Sequence, residues 1–390
     1  MKRLLILLII ILMLVTGCWD KREINELGFV QGIGIDKTNN GMVKLTIQVL
    51  KPSVLAGAGG IGGGGGGAAG KPYEVYDSKG VDFAKAYANF NTELSRKLFL
   101  QQNEIIFLSE KYAKSGIYGA LDFITRNPEL RRTSYLIVVS GGSLDDLMKI
   151  PKGLEKYPYK EVVGMIQNQT NTSCAYVSDI NDFIEALEAE KKQPMVCRLE
   201  IIKENGKPSQ VRCVGAAVFK KDKMIGILNE DEIKGIMLVL NKIKRSTFVL
   251  DKGPEGEKTH ISFLVTKTDA KITPIINEEN VSFNVEIYVE SNLVEQEVKY
   301  NLSDPKMILK LQKLQEEKLK EKVQRGLNTV QKKYKVDVVG FGDRIHKKDP
   351  ADWEKLKDRW EDIYPEVKIN ISVKAKIKRV GLTSEPIKMK

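Results

Sequence analysis

The sequence predicts an α+β fold: several mixed, largely antiparallel sheets with packed helices, arranged as three domains. Three observations carry that prediction. Strands and amphipathic helices alternate over residues 73–139, as in an α/β unit. From Pro194 the pattern changes to paired strands around short polar turns, which is hairpin architecture. A long amphipathic helix opens at Pro305, and an alternating strand over 366–379 follows it near the end.

Taken in order, 29–36 and 42–50 read as strands joined by a turn at 37–41. Residues 56–70 are nearly all glycine and alanine; such a segment has high chain entropy and buries nothing, so a flexible loop is expected. Gly70 and Lys71 precede Pro72, where a phosphate-binding loop needs Ser or Thr, so nucleotide binding is set aside. A strand at 73–76 leads to a helix over 81–98, with Phe83, Tyr87, Phe90, Leu94 and Leu98 at three- and four-residue steps. Strands at 104–108 and 133–139 flank a helix at 117–126. Short helices are expected at 144–149, 160–168 and 180–191, the last capped by Ser178 or Asp179.

Strands at 196–203, 209–219 and 223–228 turn at Asn205-Gly206 and Lys221-Asp222, and a helix follows from Glu230 or Asp231 to Leu240. Further strands are read at 246–250, 260–266, 270–276, 281–290 and 336–339, with a helix at 353–360. The helix from 305 to 335 has one apolar stripe through Leu311, Leu319, Val323 and Leu327, so it should pack on a sheet. The expected division is a signal peptide over 1–17, a tether over 18–27, an α/β domain over 28–195, a hairpin-and-helix domain over 196–245 with 28–50 as candidate completing strands, and a C-terminal domain over 246–390.

Residues 4–15 are apolar, behind Lys2 and Arg3, and stop at Val15-Thr16-Gly17-Cys18. The run is too short to span a bilayer and fits a signal peptide. It looks like a bacterial lipobox, with cleavage between Gly17 and Cys18 and a diacylglyceryl group on the Cys18 sulfur; N-acylation can follow. Two acyl chains suffice for stable anchoring. The expected place is the outer face of a membrane. The formal charge is +11, which favours an anionic lipid surface; an extracytoplasmic location argues against nucleic acid.

Beyond Cys18 three cysteines remain, which permit at most one internal disulfide. Cys197 and Cys213 lie on neighbouring strands, but turn register leaves open whether they pair. His260 and His346 are the two histidines, no Ser sits in a GxSxG pattern, and no CxxC occurs, so no catalytic residue, metal site or cofactor is predicted.

Several stretches together resemble the GerAC or Ger(x)C family, the C-subunit lipoproteins of spore germinant receptors. They are residues 17–27 (GCWDKREINEL) running into Gly32-Ile33-Gly34-Ile35-Asp36, the glycine loop between Pro52 and Pro72, residues 94–98 (LSRKL), and residues 126–131 (RNPELR). In the second half they are residues 215–220 (GAAVFK), 226–229 (GILN) and 337–342 (DVVGFG), then Trp353, Trp360 and residues 378–381 (KRVG). Ile227 departs from the aromatic expected there. The resemblance implies a non-enzymatic subunit of a nutrient germinant receptor in the spore inner membrane, assembled with integral membrane A and B subunits. Arg126, Glu129 and Arg131 are a candidate partner surface. The alternative function is a solute-binding lipoprotein of a transporter, a class with two similar lobes around a cleft.

Overall fold

The computed structural model describes residue 23 and residues 26–51, 71–148, 150, 153–155, 157–277, 280–297, 300–302 and 304–380. Its first strands are β1 (Leu27–Lys37), β2 (Val43–Leu50), β3 (Tyr73–Gly80), β4 (Lys97–Phe99), β5 (Ile105–Ser109) and β6 (Tyr135–Ser140). Set among and after them are helices α1 (Phe83–Glu93), α2 (Glu110–Ser115), α3 (Tyr118–Arg126), α4 (Leu144–Leu147), α5 (Pro158–Gln167), α6 (Gln169–Thr172) and α7 (Ile180–Glu188). Next come β7 (Met195–Glu204), β8 (Lys207–Lys220), β9 (Lys223–Leu228) and α8 (Glu230–Val239). The second half holds β10 (Ser246–Lys252), β11 (Lys258–Asn277), β12 (Asn280–Gln296), α9 (Pro305–Asn328), α10 (Phe341–Lys348), α11 (Pro350–Leu356), α12 (Trp360–Ile363) and β13 (Lys368–Arg379).

The fold is α+β, with two mixed sheets. The first runs β3-β2-β1-β5-β6-β7-β8-β9, with β4 beside the start of β1. Its centre (β1, β5, β6, β7) is parallel and its flanks are antiparallel hairpins. A parallel centre must be covered on both faces, which explains why Ile105, Ile106, Phe107 and Leu108 are apolar without alternation and all buried. Phe90, Leu121, Ile124 and Phe183 cover one face; Leu144, Leu147, Tyr159 and Val163 cover the other.

The second sheet runs β10-β11-β12-β13, and β13 pairs in parallel with β12. Helix α9 lies along it. Gln312 and Glu316 accept hydrogen bonds from the Ile377 and Ala375 amides at 3.0 and 3.1 Å, so side chains occupy the open edge of β13. One apolar core joins the halves: Met195, Val218 and Leu228 of the first sheet meet Ile236 and Leu238 of α8, Phe283 and Val285 of the second sheet, and Trp353 and Trp360. At the crossing of α8 and α9, Gly235 and Gly326 bring the two backbones into contact; a Cβ on Gly235 would stand 2.1 Å from the Lys322 carbonyl oxygen.

Several expectations are corrected. The expected boundary at 195/196 is no sheet boundary, because β7 pairs directly with β6. Nor do β1 and β2 complete a middle unit, since β5 and β6 stand between β1 and β7. Strand pairing is a long-range choice that local pattern does not encode. The helix expected over 81–98 ends at Glu93, because Leu94 turns extended and Lys97–Phe99 pair with β1. The strands read at 260–266 and 270–276 are one, β11, continued through an irregularity at Val265/Lys267. Residues 336–339 form no strand, and the helix read at 353–360 is divided between α11, a 3₁₀ turn and α12. Helix α2, unforeseen, starts where the Ser109 hydroxyl caps the Tyr112 amide at 3.0 Å.

Candidate partner surface

Gly17 and Cys18, the expected cleavage and lipidation residues, lie outside the described residues, as does the loop at 56–70. Of the three residues read as a partner surface, Arg126 and Glu129 meet at one groove. It is an open trough of about 740 Å3 between α1 and α3. The floor is aromatic: Phe83 and Phe123 ring centroids are 4.5 Å apart, and Tyr87 lies 5.5 Å from Phe123. Burial, and then the Glu129 charge, raise the Tyr87 phenol above its ordinary value.

Arg126 ends α3, its Nε 3.0 Å from both Asp122 carboxylate oxygens one turn earlier. Both partners are solvated, so the pair orients Arg126 and adds at most about 0.5 kcal/mol. The turn that follows is fixed by the Glu129 amide donating to the Asn127 side chain at 2.9 Å, and buried Leu130 anchors it. Arg131 is exposed but does not line the groove. An aromatic floor with a charged rim suits side-chain recognition by a protein partner.

Among the described residues, neither histidine stands in a serine-triad arrangement. His260 Nδ1 is 3.0 Å from Glu297 on a solvated surface, and His346 is 4.0 Å from Glu190 beside Trp353. Among the described residues, no three His, Cys, Asp or Glu side chains group as metal ligands. Cys197 and Cys213 are buried free thiols on the α5 side of the first sheet. The Cys213 hydrogen bond and then burial push the Cys197 thiol well up.

Sequence reasoning missed two residues: Asp337, which orders the turn into α10 within the second half, and Tyr334, which ties the second half to the first. Asp337 is buried, and its carboxylate accepts from the Gly340 and Gly342 amides at 2.8 and 2.9 Å and from the Trp360 indole at 3.4 Å. Gly340 has φ +82, a left-handed backbone conformation that glycine adopts without strain. The spacing Asp-x-x-Gly-x-Gly was the available signal. Tyr334 follows a π turn over Thr329–Lys333. Its hydroxyl accepts from the Ile227 amide at 3.1 Å and donates to the Ile227 carbonyl at 2.9 Å, completing the edge of β9 from the other half. No local pattern announces that contact.

Residues 20–201 match the family described as "Spore germination protein N-terminal domain", and residues 214–381 match "Spore germination B3/ GerAC like, C-terminal". Spore germination protein KC of Bacillus subtilis (strain 168) is 30% identical over 99% of this chain and 97% of its own length. Spore germination protein B3 of the same organism is 26% identical over 95% of this chain and 96% of its own. The crystal structure of the GerBC protein shares the fold, with a TM-score of 0.55 and 20% identity over 92% of this chain and all of that one.

Proposed function

The chain belongs to the GerAC family of spore germination proteins, and on that premise we propose that it is the lipid-anchored C subunit of a nutrient germinant receptor. The observation that carries this reading is the family match along almost the whole chain, from residue 20 to residue 381. The lipobox over residues 15–18 supplies the anchor, with cleavage after Gly17 and lipidation at Cys18 on the outer face of the spore inner membrane. The subunit works by assembly and not by catalysis. Its partners are the integral membrane A and B subunits, and the groove at Arg126 and Glu129 is the surface offered to them.

The alternative, a solute-binding lipoprotein of a transporter, would present two similar lobes; here an eight-strand path with a central parallel block faces a four-stranded sheet. The test is genetic and chemical together. Deleting the gene should leave sporulation normal and abolish germination with particular nutrients. Photo-crosslinkers at positions 122 and 126 in intact spore membranes should capture integral membrane proteins. Normal nutrient germination in every condition would overturn the receptor reading; crosslinks confined to lipid would overturn the groove assignment.

A further inference from the structure

A second cavity opens at the end of the first sheet where β1 begins. It holds about 300 Å3, at the lower end of small-ligand sites. Its walls are the end of β2, the start of β3 and the stretch 94–98 that carries the chain from α1 into β4. Gly28 of β1 completes the lining. Cys18 lies ten residue steps before Gly28, at most about 36 Å of chain. On the reading that Cys18 bears the lipid anchor, on which this inference rests, the cavity is therefore held close to the bilayer surface.

The lining is amphipathic. Val49, Leu50, Leu94 and Leu98 give it apolar walls, and the first three of these stay partly exposed. Three charged side chains line it: Lys51, Glu74 and Arg96. Lys51 and Glu74 hold each other in an ion pair. Arg96 is exposed and, among the described residues, closes no ion pair. With Lys51 and Glu74 cancelling, the cavity keeps one positive charge and no carboxylate to receive an ammonium group.

A small soluble anion would meet Arg96 but leave the apolar walls wet. An uncharged apolar ligand would cover the walls and leave Arg96 unused. A phospholipid offers both groups side by side. Its phosphodiester suits the planar guanidinium fork, which can bind two oxygens at once, and its glycerol and first methylenes suit the apolar walls. The absent carboxylate favours an anionic head over one ending in an ammonium group. Residues 94–98 also part this cavity from the groove at Arg126, for Arg96 lines one and Lys97 the other.

We propose that this cavity binds the headgroup region of an anionic phospholipid from the anchoring membrane. Arg96 takes the phosphate, and Val49, Leu50, Leu94 and Leu98 take the glycerol and the first methylenes. The lipid is a second point of attachment beside the acyl anchor. The short tether keeps it at high effective concentration, so the pair together fixes which end of the first sheet faces the bilayer.

The test uses the full lipidated chain in vesicles of phosphatidylcholine, alone or with phosphatidylglycerol, each doped with a photoreactive lipid of matching headgroup. Peptide mapping by mass spectrometry reads labelling at residues 94–98; flotation and the mass added at Cys18 read the anchor. Photoreactive phosphatidylglycerol should label 94–98 about tenfold more than the phosphatidylcholine probe, and Arg96→Gln should abolish that excess. Lys207→Gln, in the β7–β8 turn at the opposite end of the sheet, should leave labelling unchanged. Glycerol 3-phosphate added in solution should not compete; full displacement by it assigns the cavity to a soluble phosphate and overturns the lipid proposal. A floating chain labelled equally by both lipids, or labelled equally with and without Arg96, also overturns it and leaves the anchor standing. A chain that neither carries the acyl groups nor floats overturns the anchor reading and this proposal together.

Discussion

Replacing Gly235 by alanine should loosen the joint between the two halves, although alanine is the better helix former. The gain in intrinsic helix propensity is about 0.8–1.0 kcal/mol. Against it stands a Cβ placed 2.1 Å from the Lys322 carbonyl oxygen and 2.6 Å from its carbon. A comfortable C···O contact is about 3.3–3.6 Å, so α8 and α9 must part by more than ~1 Å at the crossing. Such overpacking costs about 1–3 kcal/mol. Separation also strains the Lys322–Asp231 ion pair and the 2.7 Å bond from the Thr329 hydroxyl to Glu232, each worth about 1 kcal/mol. The net expectation is a loss of about 1–4 kcal/mol. Gly164→Ala in α5 is the control, since nothing lies within 4 Å of its Cβ; it should gain about 0.5–1 kcal/mol. Urea denaturation of both variants beside the wild type reads the difference as a shift in midpoint at constant slope. If Gly235→Ala proves as stable as Gly164→Ala, the close helix crossing is not what fixes the two halves.

Asp337→Ala should cost several kcal/mol, because it strands two buried amides and an indole N–H at about 1–3 kcal/mol each. Asp337→Asn also has a pH signature. Burial raises the Asp337 carboxyl in the folded chain, so its contribution is fully present below the unfolded value near 4 and declines as pH rises through the folded value. Stability measured against pH in the asparagine variant should lack that decline. Tyr334→Phe removes both bonds to Ile227 and should cost about 1–2 kcal/mol, with faster hydrogen exchange at the Ile227 amide as the local readout. Cys18→Ala should leave the precursor unprocessed or released from the membrane while the far-UV circular dichroism stays native. An acylated, membrane-bound and germination-competent Cys18→Ala protein would refute the assigned anchor.

Much of this protein was written in local pattern. The periodicity around Phe83 and Leu311 located α1 and α9, a cap at Ser178 or Asp179 was expected to start α7 and Asp179 does so, and Asn205-Gly206 turned β7 into β8. Those signals depend on neighbours a few residues away, which is why sequence alone carried them. The lipobox proposed at residues 15–18 is likewise a linear signal. Tertiary structure decided what depends on distant neighbours: that β7 joins β6 in one sheet, that 260–276 is a single strand, and that Asp337 becomes a buried hydrogen-bond hub instead of part of a strand. It also brought Glu129 beside Tyr87 while leaving Arg131 off the groove, and it set Lys192 against Asp343 across 151 positions of chain. Such encounters are fixed by how whole sheets and helices share one core, a collective choice that no short window of residues contains.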